Sequence, residues 1–189
     1  MEKLSAARAA VLVIDVQKGL FATNPPPFEA QAVIARINSS LAKARAAGVP
    51  VIFVQHEGPP DGDWMLPETD DWQVHPDLHC LSGDVFVRKK TADAFYGTPL
   101  QEILHSRLIQ RIVVMGYATD FCVDSTVRNA ASRDFEVCIV SDAHTTNDAP
   151  GLKASAIRDH FNWAWGESSS SRGIRVVPSS NLSFVPATK

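Results

Sequence analysis

Four short, almost unbroken apolar runs constrain this chain more than any other feature: Ala9 to Val16 (AAVLVIDV), Val51 to Gln55, Arg111 to Gly116 and Phe135 to Val140 (FEVCIV). Runs of this length without polar alternation suit strands buried on both faces, as in parallel sheets covered by helices. Two shorter runs, Asp84 to Val87 and Ile174 to Val177, bring the strand count to six. Between them lie helix-like patterns. Val33, Ile34, Ile37, Leu41 and Ala44 form one apolar stripe ending near Gly48, and Leu100, Ile103, Leu104 and Leu108 form another behind Thr98-Pro99. Val123, Val127 and Ala130 recur at helical spacing, with Thr119 and Asp120 as candidate caps. A further helix is expected from about Pro150 to Trp165, followed by a flexible Ser168 to Ser171 connector.

Strand and helix alternate throughout, which predicts an α/β fold: a three-layer, Rossmann-like, mainly parallel six-stranded sheet with helices on both faces and right-handed crossovers. With 189 residues, 45% of them hydrophobic and 21% charged, one domain spanning residues 1–189 is expected. A net charge of −3, without long charge blocks, argues against nucleic acid or a membrane as partner. No stretch approaches the roughly 20 apolar residues that span a bilayer, and the apolar N-terminal run is broken by Asp15. Cys80, Cys122 and Cys138 are odd in number and not closely paired, which favours a reducing compartment and a cytoplasmic protein.

Parallel sheets build their sites beyond the carboxyl ends of the strands. Asp15 ends the first run, Lys89 lies just past the third strand, and Cys122 follows the fourth. Taken alone, Asp15 is either satisfied by backbone donors or held for chemistry. Cys122 is either a small buried hydrophobe or a nucleophile whose place in a helix's first turn lowers its pKa. Convergence of all three on one sheet edge favours the chemical reading. Cys138, in the middle of a strand, reads as structural.

The long segment from His56 to Gly83 lacks clear periodicity and carries Trp64, Met65, Trp72, His75 and His79. Such a loop forms a lid, lines a pocket or packs against a neighbouring subunit. Its tryptophans suggest a homo-oligomer, at least a dimer. Asp71, His75 and His79 invite a metal reading, but Pro76 interrupts the helix that would align them. The last dozen residues are expected to wrap the surface or reach a partner.

The segments VIDVQKGLF, RKKTADAFYGTPL and VMGYATDFCVDSTVRNA closely resemble the signature segments of the isochorismatase-like cysteine hydrolases, over roughly Val11 to Asp142. The resemblance implies a catalytic set of Asp15, Lys89 and Cys122, with Lys90 set aside by its distance to Phe95 in the motif. It also implies a cis peptide between Tyr117 and Ala118, and an oxyanion hole from the backbone N–H groups of Ala118 and Cys122. The implied reaction is hydrolysis of an amide-type C–N bond in a small molecule through a thioester. Phe21, His56, Trp64, Tyr96 and Tyr117 are the candidate substrate-binding residues. Asp93 stands where many relatives have Ser, which leaves the polarity of the pocket open. Nicotinamidases of this group carry a metal-binding Asp-x-His followed by further histidines, whereas residues 22–55 contain no histidine and His56 alone resembles one ligand position. The resemblance therefore points to a metal-free branch with no cofactor. Two other readings stay open: a vinyl-ether hydrolase like isochorismatase itself, whose relatives commonly lack the nucleophilic Cys, and a non-catalytic oligomeric binding protein. Preferential alkylation of Cys122 over Cys80 and Cys138 is expected from an activated nucleophile but not from a binding module.

Overall fold

The computed structural model describes residues 2–185, and its centre is a six-stranded sheet in which every pairing is parallel. In chain order the elements are β1 (Glu2–Ser5), β2 (Ala9–Ile14), α1 (Lys18–Phe21), α2 (Ala30–Ala46), β3 (Val51–His56), β4 (Val85–Lys89), α3 (Leu100–Ser106) and β5 (Arg111–Tyr117). One turn of π-helix (Thr119–Val123) then leads into α4 (Asp124–Ser132), β6 (Glu136–Thr145), α5 (Ala154–Gly166), β7 (Ile174–Val177) and β8 (Leu182–Val185). The sheet order is β4-β3-β2-β5-β6-β7, so the order reverses between β2 and β5. That reversal opens a crevice at the carboxyl ends of these two central strands.

The unbroken apolar runs follow from two-sided burial. Along β2, Val11 and Val13 face the core under α2, while Ala10, Leu12 and Ile14 face the core under α3, α4 and α5. Truncating a side chain such as Leu12, fully buried here, costs about 2–5 kcal/mol. Gly116 makes the central pairing possible. A Cβ there would lie 2.1 Å from the Ile14 carbonyl oxygen, and its φ of 128° disfavours any L side chain.

Three boundaries differ from the sequence reading. Lys89 is the last residue of β4 rather than lying just past it, because its backbone continues the ladder opposite His56. β6 does not close at Ser141-Asp142-Ala143. The ladder shifts register between Val114 and Gly116, and His144 and Thr145 pair again with Gly116 and Tyr117. Leu108 belongs to no apolar helix face: α3 has already ended, and Leu108 takes a left-handed φ of 55° and is exposed.

A second, two-stranded sheet joins β1 to β8 in parallel, with Leu4 and Leu182 buried in the core shared with α2. Part of the C-terminal stretch expected to wrap the surface is thus a strand, and residues 186–189 lie outside the described residues. Among the described residues, no helix is long and apolar enough to cross a membrane.

Candidate active site

Asp15 leaves the end of β2 in a left-handed conformation, φ 51°, which Asp tolerates better than branched residues do. Its N–H still donates to Val54 O (2.8 Å), so the side chain is fixed at the crevice by the last bond of the sheet. Lys89 reaches the same point from the end of β4. Its Nζ lies 2.6 Å from Asp15 Oδ2, 3.0 Å from Thr91 O and 3.3 Å from Cys122 Sγ. Both members of the ion pair are buried, Asp15 and Lys89 each at 1% exposure. Cys122 sits in the π-helical turn after β5 and is partly exposed. The peptide Tyr117–Ala118, just ahead of that turn, is cis.

Among the described residues, no backbone donor serves the Asp15 carboxylate. It faces the Lys89 ammonium and the Cys122 thiol. Burial raises its pKa, and the adjacent Lys89 charge opposes that rise. The thiol departs from the sequence expectation. Placement in a helix's first turn should lower its pKa, yet burial, reinforced by the neighbouring Asp15 carboxylate, pushes it up to about 12, with Lys89 only partly offsetting this. In the resting state the proton therefore belongs to sulfur. Lys89 and Asp15 thus stand as a buried pair in contact with a thiol whose pKa is raised.

Several positions differ in role from their sequence reading. Thr119 and Asp120 do not cap a helix, since both lie inside the turn and point toward the end of β6. Thr119 Oγ1 donates to His144 Nδ1 (2.9 Å), and Asp120 Oδ1 accepts from Thr146 Oγ1 (2.6 Å). His144 is fully buried, and its Nε2 donates to Asn162 Oδ1 (3.0 Å). Burial lowers its pKa to about 4, so the imidazole is neutral and ties the turn to α5. Asp93 does not set the polarity of the pocket, because its carboxylate accepts from Phe95 N–H (2.9 Å) and from Asn129 Nδ2 on α4 (2.5 Å).

A cavity of about 250 Å³ opens above Asp15 and Cys122. Leu20, Trp64, Ala92, Tyr117 and Phe121 form its apolar walls, and His56 lies at its base. The sequence reading placed His56, Trp64 and Tyr117 here and missed Leu20, Ala92 and Phe121. Phe21 is buried behind the wall, with its ring 5.7 Å from that of Tyr117. The exposed Tyr96 is not among the residues lining this cavity and borders a neighbouring cleft with Glu57, Arg88, Lys89 and Lys90.

The long loop lines this cavity through Trp64 while burying Met65, Trp72 and Leu78 within the chain. Trp72 therefore gives no reason to invoke a subunit contact. Gly58 is required where the loop folds back, because a Cβ there would lie 1.9 Å from Trp64 O. Buried Gln17 holds the base of the loop. Its Oε1 accepts from His56 N–H (2.8 Å), and its Nε2 donates to His56 O (3.1 Å) and Trp72 O (2.8 Å). Gln17 carried no sequence signal beyond its place in the first motif.

The residues that invite a metal reading have other partners. Asp71 accepts from Met65 N–H (2.8 Å) and Thr69 Oγ1, and His75 packs edge-on against Phe21. His56 Nδ1 lies 3.5 Å from the Lys89 ammonium, and burial, joined by that charge, lowers the imidazole pKa. Among the described residues, no group of three His, Cys, Asp or Glu side chains is arranged to hold a metal ion.

Residues 9–165 match the family model for the isochorismatase domain. Streptothricin hydrolase from Streptomyces noursei is 31% identical over 176 residues, covering 89% of this chain and 68% of that protein. A ureidoacrylate amidohydrolase from Methylorubrum extorquens is 30% identical over 162 residues, covering 69% of this chain and 65% of its own length. The chain thus spans only about two thirds of these relatives. The crystal structure of an isochorismatase family protein superposes with a TM-score of 0.83 at 30% identity, covering 92% of this chain and 99% of that one. With a family model matched across most of its length and a fold shared over 92% of the chain with a solved member, this chain belongs to the isochorismatase family of hydrolases.

Proposed function

We propose that this protein is a cysteine-dependent amidohydrolase that cleaves an amide-type C–N bond of a small molecule through a thioester on Cys122. The observation that carries this reading is the contact of one buried ion pair with one thiol: Lys89 Nζ lies 2.6 Å from Asp15 and 3.3 Å from Cys122 Sγ. Two relatives named as hydrolases of streptothricin and of ureidoacrylate support the same reaction class.

Asp15 acts as the base because sulfur holds its proton until attack begins. As Sγ bonds to the carbonyl carbon, its proton passes to Asp15, and Lys89 stabilises the negative charge developing beside it. The backbone N–H groups of Ala118 and Cys122 receive the oxyanion. Collapse of the tetrahedral adduct breaks the C–N bond, and Asp15 delivers the proton to the departing amine. Water then attacks the thioester and gives a proton to Asp15. A C–O bond forms, the C–S bond breaks, and the proton returns to sulfur. The residues of the cycle are all supplied by this chain.

Ammonia release from a panel of small amides, ureides and carbamoyl compounds tests the proposal. Activity on at least one amide, abolished by Cys122→Ala, is the expected result. Undiminished activity in Cys122→Ala would sink it.

A further inference from the structure

The walls of the cavity above Cys122 are apolar: Leu20, Ala92, the rings of Trp64 and Phe121, and the face of Tyr117. The Tyr117 hydroxyl is already committed, donating to Asn147 Oδ1 at 2.8 Å. Among the described lining residues there is no arginine or lysine. The nearest ammonium, Lys89, is buried at the base and engaged with Asp15, Thr91 O and Cys122. Arg88 lies outside the cavity, over the Trp72 ring and beside Glu57 and Glu68. His56, at the base, faces that same ammonium. A carboxylate on a bound substrate would lose its water here and gain no cation in return, a severe cost in an apolar setting. The cavity is also below the roughly 300–1,000 Å³ usual for drug-sized ligands.

From this lining we infer that the acyl group accepted by the site is small, apolar and uncharged, and that amides carrying a carboxylate on the acyl side are rejected. The inference rests on the amidohydrolase reading and narrows it. The reaction is R–CO–NH₂ plus water giving R–COO⁻ and ammonium, with R an aliphatic or planar group held between Trp64, Leu20 and Phe121.

Pentanamide and glutaramate share one chain length and differ at the far end, methyl against carboxylate. Two measurements separate the cavity from the chemistry: kcat/KM by ammonia release with the native protein, and affinity by calorimetry with Cys122→Ala. Pentanamide is expected to lead glutaramate by at least about tenfold in both, since an unpaired buried carboxylate costs more than the roughly 1.4 kcal/mol that tenfold represents. Phe121→Arg, at a position 63% exposed on the rim, should shrink that gap. Glutaramate equal to or better than pentanamide, or failure of Cys122→Ala to bind pentanamide at millimolar concentration, overturns the inference. Selective binding of pentanamide without ammonia release from either compound upholds the description of the cavity and instead counts against the amidohydrolase reading.

Discussion

Lys89 and Asp15 form an ion pair of 2.6 Å at the ends of two strands, β4 and β2, with both side chains excluded from solvent. Two charges so buried persist only as a pair, and removing one leaves the other uncompensated, at a cost of about 3–5 kcal/mol. In Lys89→Met, Asp15 loses the interaction that opposes its raised pKa, so it becomes a base only at higher pH. The acid limb of the kcat/KM profile should move upward. A carboxyl whose folded pKa exceeds its unfolded value of about 3.9 stabilises the fold below that value, and this stabilisation is lost as pH rises. The melting temperature of Lys89→Met should therefore fall more steeply than that of the native protein between pH 4 and 7. Parallel curves for the two would count against the pair.

Asp15→Asn separates thiol reactivity from turnover. The Asp15 charge helps hold the Cys122 thiol at about 12, so neutralising it should lower the thiol pKa and speed alkylation by iodoacetamide at pH 8. Turnover should instead drop by about 10² to 10⁴, the usual cost of a lost general acid/base. In the native protein, Cys122 alkylation should be slow at neutral pH and still rising above pH 9, which corrects the expectation that Cys122 labels ahead of Cys80; Cys80 is exposed, and burial and Asp84 raise its thiol pKa as well. Slower alkylation together with normal turnover in Asp15→Asn would reverse both assignments.

Metal dependence is the third test. The Lys89 ammonium stands 3.5 Å from His56 Nδ1, so a divalent ion on that ring would be repelled by a fixed neighbouring charge. Activity should survive prolonged dialysis against EDTA. Loss of activity restored specifically by zinc or manganese would contradict this.

Assembly is the fourth. Trp163, Phe86 and Leu152 are exposed on α5, on the edge strand β4 and on the loop before α5, and Phe121 and Trp64 stand open at the mouth of the site. We expect these surfaces to be covered in a homo-oligomer, at least a dimer, by light scattering at micromolar concentration. A monomer throughout that range would leave the rim of the site open to solvent.

The sheet was legible because two-sided burial writes itself into the sequence as unbroken apolar runs, and the site because strand ends converge at one edge. Asp15, Lys89 and Cys122 were each visible in this way, and the three motifs ordered them. What stayed hidden depends on distance between segments. Helix-start logic gives the thiol pKa the wrong direction, since it has no knowledge of the burial of that turn or of an Asp15 carboxylate arriving from β2. Leu20, Ala92 and Phe121 carry no pattern that marks a wall, and Trp72 reads as a surface residue until the loop folds under it. The β1–β8 pair joins two segments of four residues each, too short to signal strands. His144 was hidden because β6 continues through its register shift instead of ending at Asp142.

The central claim is that Cys122 becomes acylated with Asp15 as its base. The most direct measurement is peptide mapping by mass spectrometry of the native protein, acid-quenched during steady-state turnover of an amide substrate. The account predicts an increment equal to the acyl group on the peptide carrying Cys122, absent from Cys80 and Cys138 and absent when Asp15→Asn is treated in the same way. Sustained turnover with all three cysteines unmodified, in a protein whose hydrolysis step is shown to be slower than acylation, would contradict it.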